Sequence, residues 1–304
     1  QNPGSTAYSA SLPGTGLNSN LWLTDSDGRE YWQLTDIKTR YTGARGVVYP
    51  HFSPDGSRLF WAGNTGYNPP EYVWGERELY LANFRLDDEG EPRLETEFAF
   101  QPGEQKEFFE SHGFTPDGTS VLFSANTRQD QSVFGMDICK FNLQTNELTL
   151  LTDSVNTWDE FASVSPDGRK IVWMSNDGMN QHRTFGTRNW QNYLRSELWI
   201  MNADGSEPKQ LTDFNTPGSV EYVGRRCFVG DSAWSPDGTT LAISVNFEAR
   251  NFTVSSGVYL LRLGIGPRPE RPAAEEQPQE ERAQRRRAPP QRRRPTRPGL
   301  PLRW

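Results

Sequence analysis

The chain has 304 residues, 34% hydrophobic and 12% aromatic, with ten Trp, three His, two Cys and a formal net charge of −7. That is enough apolar material for a large core, yet no apolar run reaches the roughly 18 residues of a membrane-spanning helix. The residue order also excludes covalent haem (no Cys-x-x-Cys-His), a nucleophile elbow (no Gly-x-Ser-x-Gly) and a Gly-rich phosphate loop.

Gln1 stands where Met would begin an unprocessed chain, so we expect a removed secretion signal and a periplasmic or extracellular location. No Cys occupies position 1, which gives no support to a lipid anchor there. The first patterned segment is Asn20-Leu21-Trp22-Leu23-Thr24-Asp25-Ser26-Asp27-Gly28, followed by Trp32-Gln33-Leu34-Thr35-Asp36. Its Asp-x-Asp spacing superficially suggests calcium, but Asp and Gly are also the residues a hairpin turn needs, and we read it as a turn.

From residue 53 a second pattern takes over. Ser/Thr-Pro-Asp-Gly occurs at Ser53–Gly56, Thr115–Gly118, Ser165–Gly168 and Ser235–Gly238, with spacings of 62, 50 and 70 residues. Each copy follows an apolar residue (Phe52, Phe114, Val164, Trp234) and precedes a short apolar run that closes near Asn64, Asn126, Asn176 or Asn246. Proline presets φ for a turn, Asp caps it and Gly takes the left-handed position, so each copy predicts a hairpin between two buried strands. A second hairpin follows three of them. Its clearest form is Glu197-Leu198-Trp199-Ile200-Met201-Asn202-Ala203-Asp204-Gly205-Ser206 with Lys209-Gln210-Leu211-Thr212-Asp213, echoed from Asp137 and from Glu78.

Two hairpins per unit make a four-stranded antiparallel sheet, and sheets of this kind bury both faces by stacking around an axis. The expected fold is therefore all-β, a β-propeller of four-stranded antiparallel blades over residues 1–264. Five blades are favoured, and four or six also fit the pattern. The N-terminal strands are expected to close the ring against residues 257–263. The spacings exceed a minimal blade of roughly 40–45 residues, so the surplus falls in insertions, chiefly 64–77 and 177–196. These carry Tyr72, Trp74, Arg188 and Trp190, the aromatic and Arg content that protein interfaces favour.

These motifs resemble the TolB-type β-propeller repeat of bacterial envelope proteins, in which the Ser-Pro-Asp-Gly hairpin alternates with a Met-Asn-Ala-Asp-Gly then Leu-Thr hairpin. The resemblance covers roughly residues 20–263. It implies a fold rather than an activity, because the same repeat serves scaffolds, hydrolase-associated domains and sugar-acting enzymes.

Residues just ahead of each Pro-Asp-Gly turn belong to the innermost strand and should line a central channel. They are His51, Glu110 with His112, Asp159 with Glu160, and Asp231, with Glu221 a little earlier in its blade. His51, Glu110, His112, Glu160 and Asp231 are weak metal-ligand candidates; a solvated ring of polar groups is the ordinary arrangement in a propeller, and no cofactor is expected. A metal-dependent sugar lyase of the oligogalacturonate type, whose propeller repeats are similar, would need several channel His. Here the third and fourth blades offer Phe161-Ala162-Ser163 and Ser232-Ala233 instead. Cys139 and Cys227 fall in different blades, and Cys139 reads as a buried thiol.

From residue 265 the composition changes. Residues 265–304 hold nine Pro, eleven Arg and five Glu, and the last 23 residues carry +9, which leaves residues 1–281 at −16. A Pro/Arg chain buries too little to fold alone and samples extended conformations. We read it as an arm that tethers the propeller to other subunits of an envelope complex, with Arg286, Arg293 and the terminal Trp304 as contact residues. Acidic protein surfaces or anionic lipid headgroups suit it better than nucleic acid. The expected function is that of a non-catalytic scaffold or interaction subunit. A metal-dependent carbohydrate-active enzyme and a free glycan- or peptide-binding module stand as alternatives.

Overall fold

The structure, a computed structural model, describes residues 19–36, 46–65, 76–104, 108–131, 135–179, 194–248 and 254–264. The chain divides into two units, Gln1–Leu263 and Gly264–Trp304. The described part of the first is built of strands, with no helix among the described residues.

A short hairpin comes first, β1 (Trp22–Thr24) with β2 (Tyr31–Gln33). Blade I follows with β3 (Val47–Phe52), β4 (Arg58–Asn64), β5 (Arg77–Leu86) and β6 (Pro92–Phe100). Blade II holds β7 (Phe109–Phe114), β8 (Ser120–Ala125), β9 (Asp137–Asn142) and β10 (Leu148–Leu150). Blade III holds β11 (Asp159–Val164), β12 (Lys170–Ser175), β13 (Glu197–Asn202) and β14 (Lys209–Gln210). Blade IV has three strands among the described residues, β15 (Cys227–Trp234), β16 (Thr240–Glu248) and β17 (Val254–Arg262). All pairings inside these sheets are antiparallel.

Side chains on a strand point alternately to its two faces, and the second strand of each blade shows why the repeat is so apolar. In β12, Ile171 and Trp173 pack with Leu122 and Ile138 of blade II, while Val172 and Met174 pack with Val229, Leu241 and Ile243 of blade IV. In β4, Phe60 and Ala62 face Phe109, Val121 and Phe123 of blade II, while Leu59 and Trp61 face Leu21 of the N-terminal segment. Strands β4, β8 and β12 are thus buried on both faces. Strand β16 differs. Leu241, Ile243, Val245 and Phe247 are buried against blade III, whereas Ala242, Ser244 and Asn246 between them are only half-buried.

The Pro-Asp-Gly turns are capped alike. In the first, Ser53 Oγ donates to Asp55 Oδ1 (2.5 Å) and accepts from Arg58 N (2.9 Å), and Asp55 Oδ1 accepts Ser57 N (3.0 Å). These donors hold the Asp55 carboxyl down at about 2, with the Ser53 hydroxyl the largest cause. Gly56, Gly118, Gly168 and Gly238 all sit in the left-handed region, at φ +71°, +68°, +73° and +70°. Adjacent turns also interlock. A Cβ on Gly118 would lie 3.7 Å from Pro54, one on Gly168 would lie 3.7 Å from Pro116, and one on Gly238 would lie 3.8 Å from Pro166. Gly56, at the start of the series, has nothing within 4 Å.

The blades therefore run I to IV in chain order, with β1 and β2 beside blade I where a preceding blade's outer hairpin belongs. The expected closure of the N-terminal strands against residues 257–263 is not found. Strand β17 pairs with β16 over nine residues, from Thr240↔Arg262 to Glu248↔Val254, and with no further strand among the described residues. Hairpin β1–β2 is a separate sheet that Leu21 and Leu34 fix onto blade I. The two cysteines are both buried and free.

Candidate functional site

Counting back from each Pro-Asp-Gly turn, Tyr49, Ser111, Phe161 and Asp231 occupy equivalent positions on β3, β7, β11 and β15. Each of these strands breaks register there, between Val48 and His51, Ser111 and Gly113, Glu160 and Ser163, and Val229 and Ser232. Bulges re-aim side chains. Here they turn the four equivalent residues into one cavity of about 400 Å³, which His51, His112, Ser232 and Trp234 also line. Tyr49 and Phe161 hold φ at +52° and +57°, in a region that bulky residues rarely adopt. Their rings meet edge to face at 6.4 Å.

Hydrogen bonds tie the cavity wall together across blades. Ser111 Oγ donates to Tyr49 O (2.8 Å), and Trp234 Nε1 donates to Ser163 O (3.1 Å). His51 Nε2 lies 3.2 Å from Ser111 O, and because a carbonyl only accepts, that nitrogen carries the proton. Nδ1 of His51 is then an acceptor. It stands 3.3 Å from where a Cβ of Gly113 would be, so glycine at 113 keeps this approach open. His112 Nε2 meets Ser124 Oγ at 2.6 Å. Burial lowers the pKa of His51, and burial together with the His51 charge pushes His112 down to about 3. Both imidazoles are neutral at physiological pH.

Asp231 opens into the cavity, and no described group donates a hydrogen bond to it. Surrounding protein raises its pKa, although the side chain still reaches solvent through the cavity. Ser232 Oγ is buried and has no hydrogen-bond partner.

One residue back along the strands lies a buried acid pair. Glu110 Oε2 accepts from Arg77 Nη1 at 2.8 Å, and the Arg77 guanidinium stacks 4.5 Å over Phe108. Glu160 Oε2 accepts from Trp158 Nε1 at 2.9 Å. Burial, and then the Glu110 charge, raise Glu160 well above its ordinary range; burial raises Glu110 too, against the pull of Arg77. The ion pair with Arg77 belongs to Glu110, and Glu160 is the carboxyl whose surroundings favour its proton.

Of the five residues weighed as metal ligands, His51, His112 and Asp231 line the cavity, and Glu110 and Glu160 form the buried pair. Among the described residues no three His, Cys, Asp or Glu side chains gather in a metal-holding group. Asp159 does not line the channel. It accepts from Trp173 Nε1 (3.1 Å), and burial pushes it up to about 7. Glu221 is an exposed loop residue that accepts Asp213 N (2.9 Å). Asp25 caps the β1–β2 turn by accepting Arg29 N (2.7 Å) and Glu30 N (3.0 Å). Tyr72, Trp74, Arg188, Trp190, Arg286, Arg293 and Trp304 lie outside the described residues. The sequence reading missed Tyr49, Arg77 and Trp158. Only the repeat register pointed to Tyr49, and nothing local marked the other two.

Successive antiparallel blades with these interlocked turns define a β-propeller. No protein-family model matches the chain. Among solved structures it is similar to TolB from Acinetobacter baumannii, at 17% identity over 83% of this chain and 50% of that one, with a TM-score of 0.46. It is similar to Kuenenia stuttgartiensis hydrazine synthase at 15% identity, over 76% and 66% of the two chains, TM-score 0.39. It is also similar to the periplasmic gluconolactonase PpgL of Pseudomonas aeruginosa at 12% identity, over 84% and 81%, TM-score 0.40. The chain spans half the length of the TolB structure, and the likeness in each case is one of fold.

Proposed function

We propose that this chain is a non-catalytic interaction subunit of a larger, membrane-associated envelope assembly, and that blade IV and the Pro/Arg arm 265–304 are its contact surfaces. The observation that carries the reading is the state of blade IV. Among the described residues blades I to III have four strands each and blade IV has three, and no described strand pairs with the outer edge of β17 along its nine residues. On the face turned away from blade III, Val258 pairs with Ser244 and Leu260 with Ala242. Val258 and Leu260 stand 76% and 74% exposed. A partner that adds an extended segment here gains backbone hydrogen bonds and covers both side chains. The arm, with +9 over its last 23 residues, suits an acidic surface on the same partner. No helix of the described residues is long and apolar enough to cross a membrane, so membrane association in this reading comes through the partner.

Gentle affinity purification from the native envelope, followed by mass spectrometry, tests this with three proteins: the full chain, a Val258→Lys/Leu260→Lys double variant, and a chain lacking 265–304. The expected result is stoichiometric partner subunits with the first and their loss from the other two. Undiminished co-purification with both variants overturns the reading.

A further inference from the structure

We propose that the cavity at the inner-strand bulges is a binding site for a small organic ammonium ion that carries N–H or O–H donors, such as an amino alcohol, with Asp231 as its counter-ion. The proposal goes beyond the interaction reading and does not depend on it. Three independent observations lead to it.

The first is backbone strain. Tyr49 and Phe161 are two of only four non-glycine residues with positive φ among the described residues, and both are large aromatics set opposite each other in the cavity wall. Glycine fills comparable conformations elsewhere in this chain, including Gly113 on the neighbouring inner strand. Keeping aromatic rings in so unfavourable a conformation makes sense if the rings themselves are used. Their faces attract a cation through the ring quadrupole.

The second is the balance of donors and acceptors. The Asp231 carboxylate, an acceptor that no described group serves, is exposed to the cavity. The donor N–H groups of His51 and Trp234 are already used on Ser111 O and Ser163 O. A ligand rich in donors satisfies what the wall leaves open.

The third is charge. Among the described residues no Lys or Arg lines the cavity. Arg77 is committed to Glu110 in the layer behind, and Asp231 is the one carboxylate among the described lining residues, so it sets the sign of the site. A carboxylate sugar finds no counter-charge here, whereas an ammonium ion does. A volume of about 400 Å³ falls at the small end of ligand pockets, which limits the occupant to a compact molecule.

Isothermal titration calorimetry on the full chain decides it, with ethanolamine, choline, ethylene glycol and galacturonate as probes. Ethanolamine is expected to bind saturably, with a Kd of roughly millimolar or tighter. Choline should bind more weakly for want of N–H donors, and the glycol and the uronate should give no saturable heat. Asp231→Asn, which keeps the shape of the side chain, should weaken ethanolamine about tenfold or more, equivalent to about 1.4 kcal/mol. Phe161→Leu should weaken it several-fold while the thermal transition shows a folded protein. Galacturonate binding as tightly as ethanolamine overturns the proposal. So does ethanolamine affinity that Asp231→Asn leaves unchanged, or the absence of saturable heat from either ammonium probe.

Discussion

Glu160 and Glu110 stand at the same repeat position on neighbouring inner strands, yet their partners differ in charge. Arg77 and Trp158 make the difference: the first compensates a carboxylate at Glu110, and the second is a neutral donor to Glu160. Removing one partner of a buried ion pair strands the other, at a cost of about 3–5 kcal/mol. Arg77→Met should therefore show a loss of that size in urea unfolding, whereas Glu160→Gln, which swaps a protonated acid for an amide of the same shape, should stay within about 1 kcal/mol. The pH dependence has a definite sign. The folded protein keeps the Glu160 proton to a higher pH than the unfolded chain, so its contribution is full below the ordinary value of 4.5 and is lost as pH rises above it. Glu160→Gln should remove that part of the slope in a plot of stability against pH. An unchanged slope would place the proton elsewhere. Little of this was legible beforehand. The acids could be aligned by counting from the turn, but Arg77 comes from β5, 33 residues before Glu110, and no local pattern announces a pairing across blades.

The strands and turns were far easier to read. Each Pro-Asp-Gly tetrapeptide contains the whole physics of its turn, since Pro, Asp and Gly each fix one requirement within a few residues. Burial on both faces could be read as well, because the runs Leu59–Trp61, Val121–Phe123 and Ile171–Trp173 are unbroken by polar residues, whereas Leu241–Phe247 alternates. The bulges left no such trace. A left-handed Tyr or Phe looks like any strand aromatic, and what holds it there is the partner strand and the adjoining blade. The turn glycines offer a test at this level. Gly168 has room for a methyl group, 3.7 Å from Pro116, so Gly168→Ala should cost only the left-handed backbone penalty of about 1–2 kcal/mol. A much larger loss on chemical denaturation would mean that the turn contact between blades is tighter than its geometry.

Across the first unit, the order in which the turns interlock has a further consequence. Pro54 meets Gly118, Pro116 meets Gly168 and Pro166 meets Gly238, while no described residue meets Gly56. Each blade thus leans on its neighbours in sequence, the arrangement of a linear repeat array, whose energy is close to a sum of unit and nearest-neighbour contributions. Blades II and III have a full blade on either side. Among the described residues blade IV packs on one blade and has a half-polar outer face, and a two-stranded hairpin lies beyond blade I. Opening should then proceed from the ends inward. Amide hydrogen exchange should be slowest in β8 and β12, faster in β4 and fastest in β16 and β17. Uniform protection across all four second strands would show that the blades open together. If the gradient holds, a partner seated on blade IV would act as the array's end cap, and its arrival could be followed as slowed exchange in β16, the strand behind the docking edge.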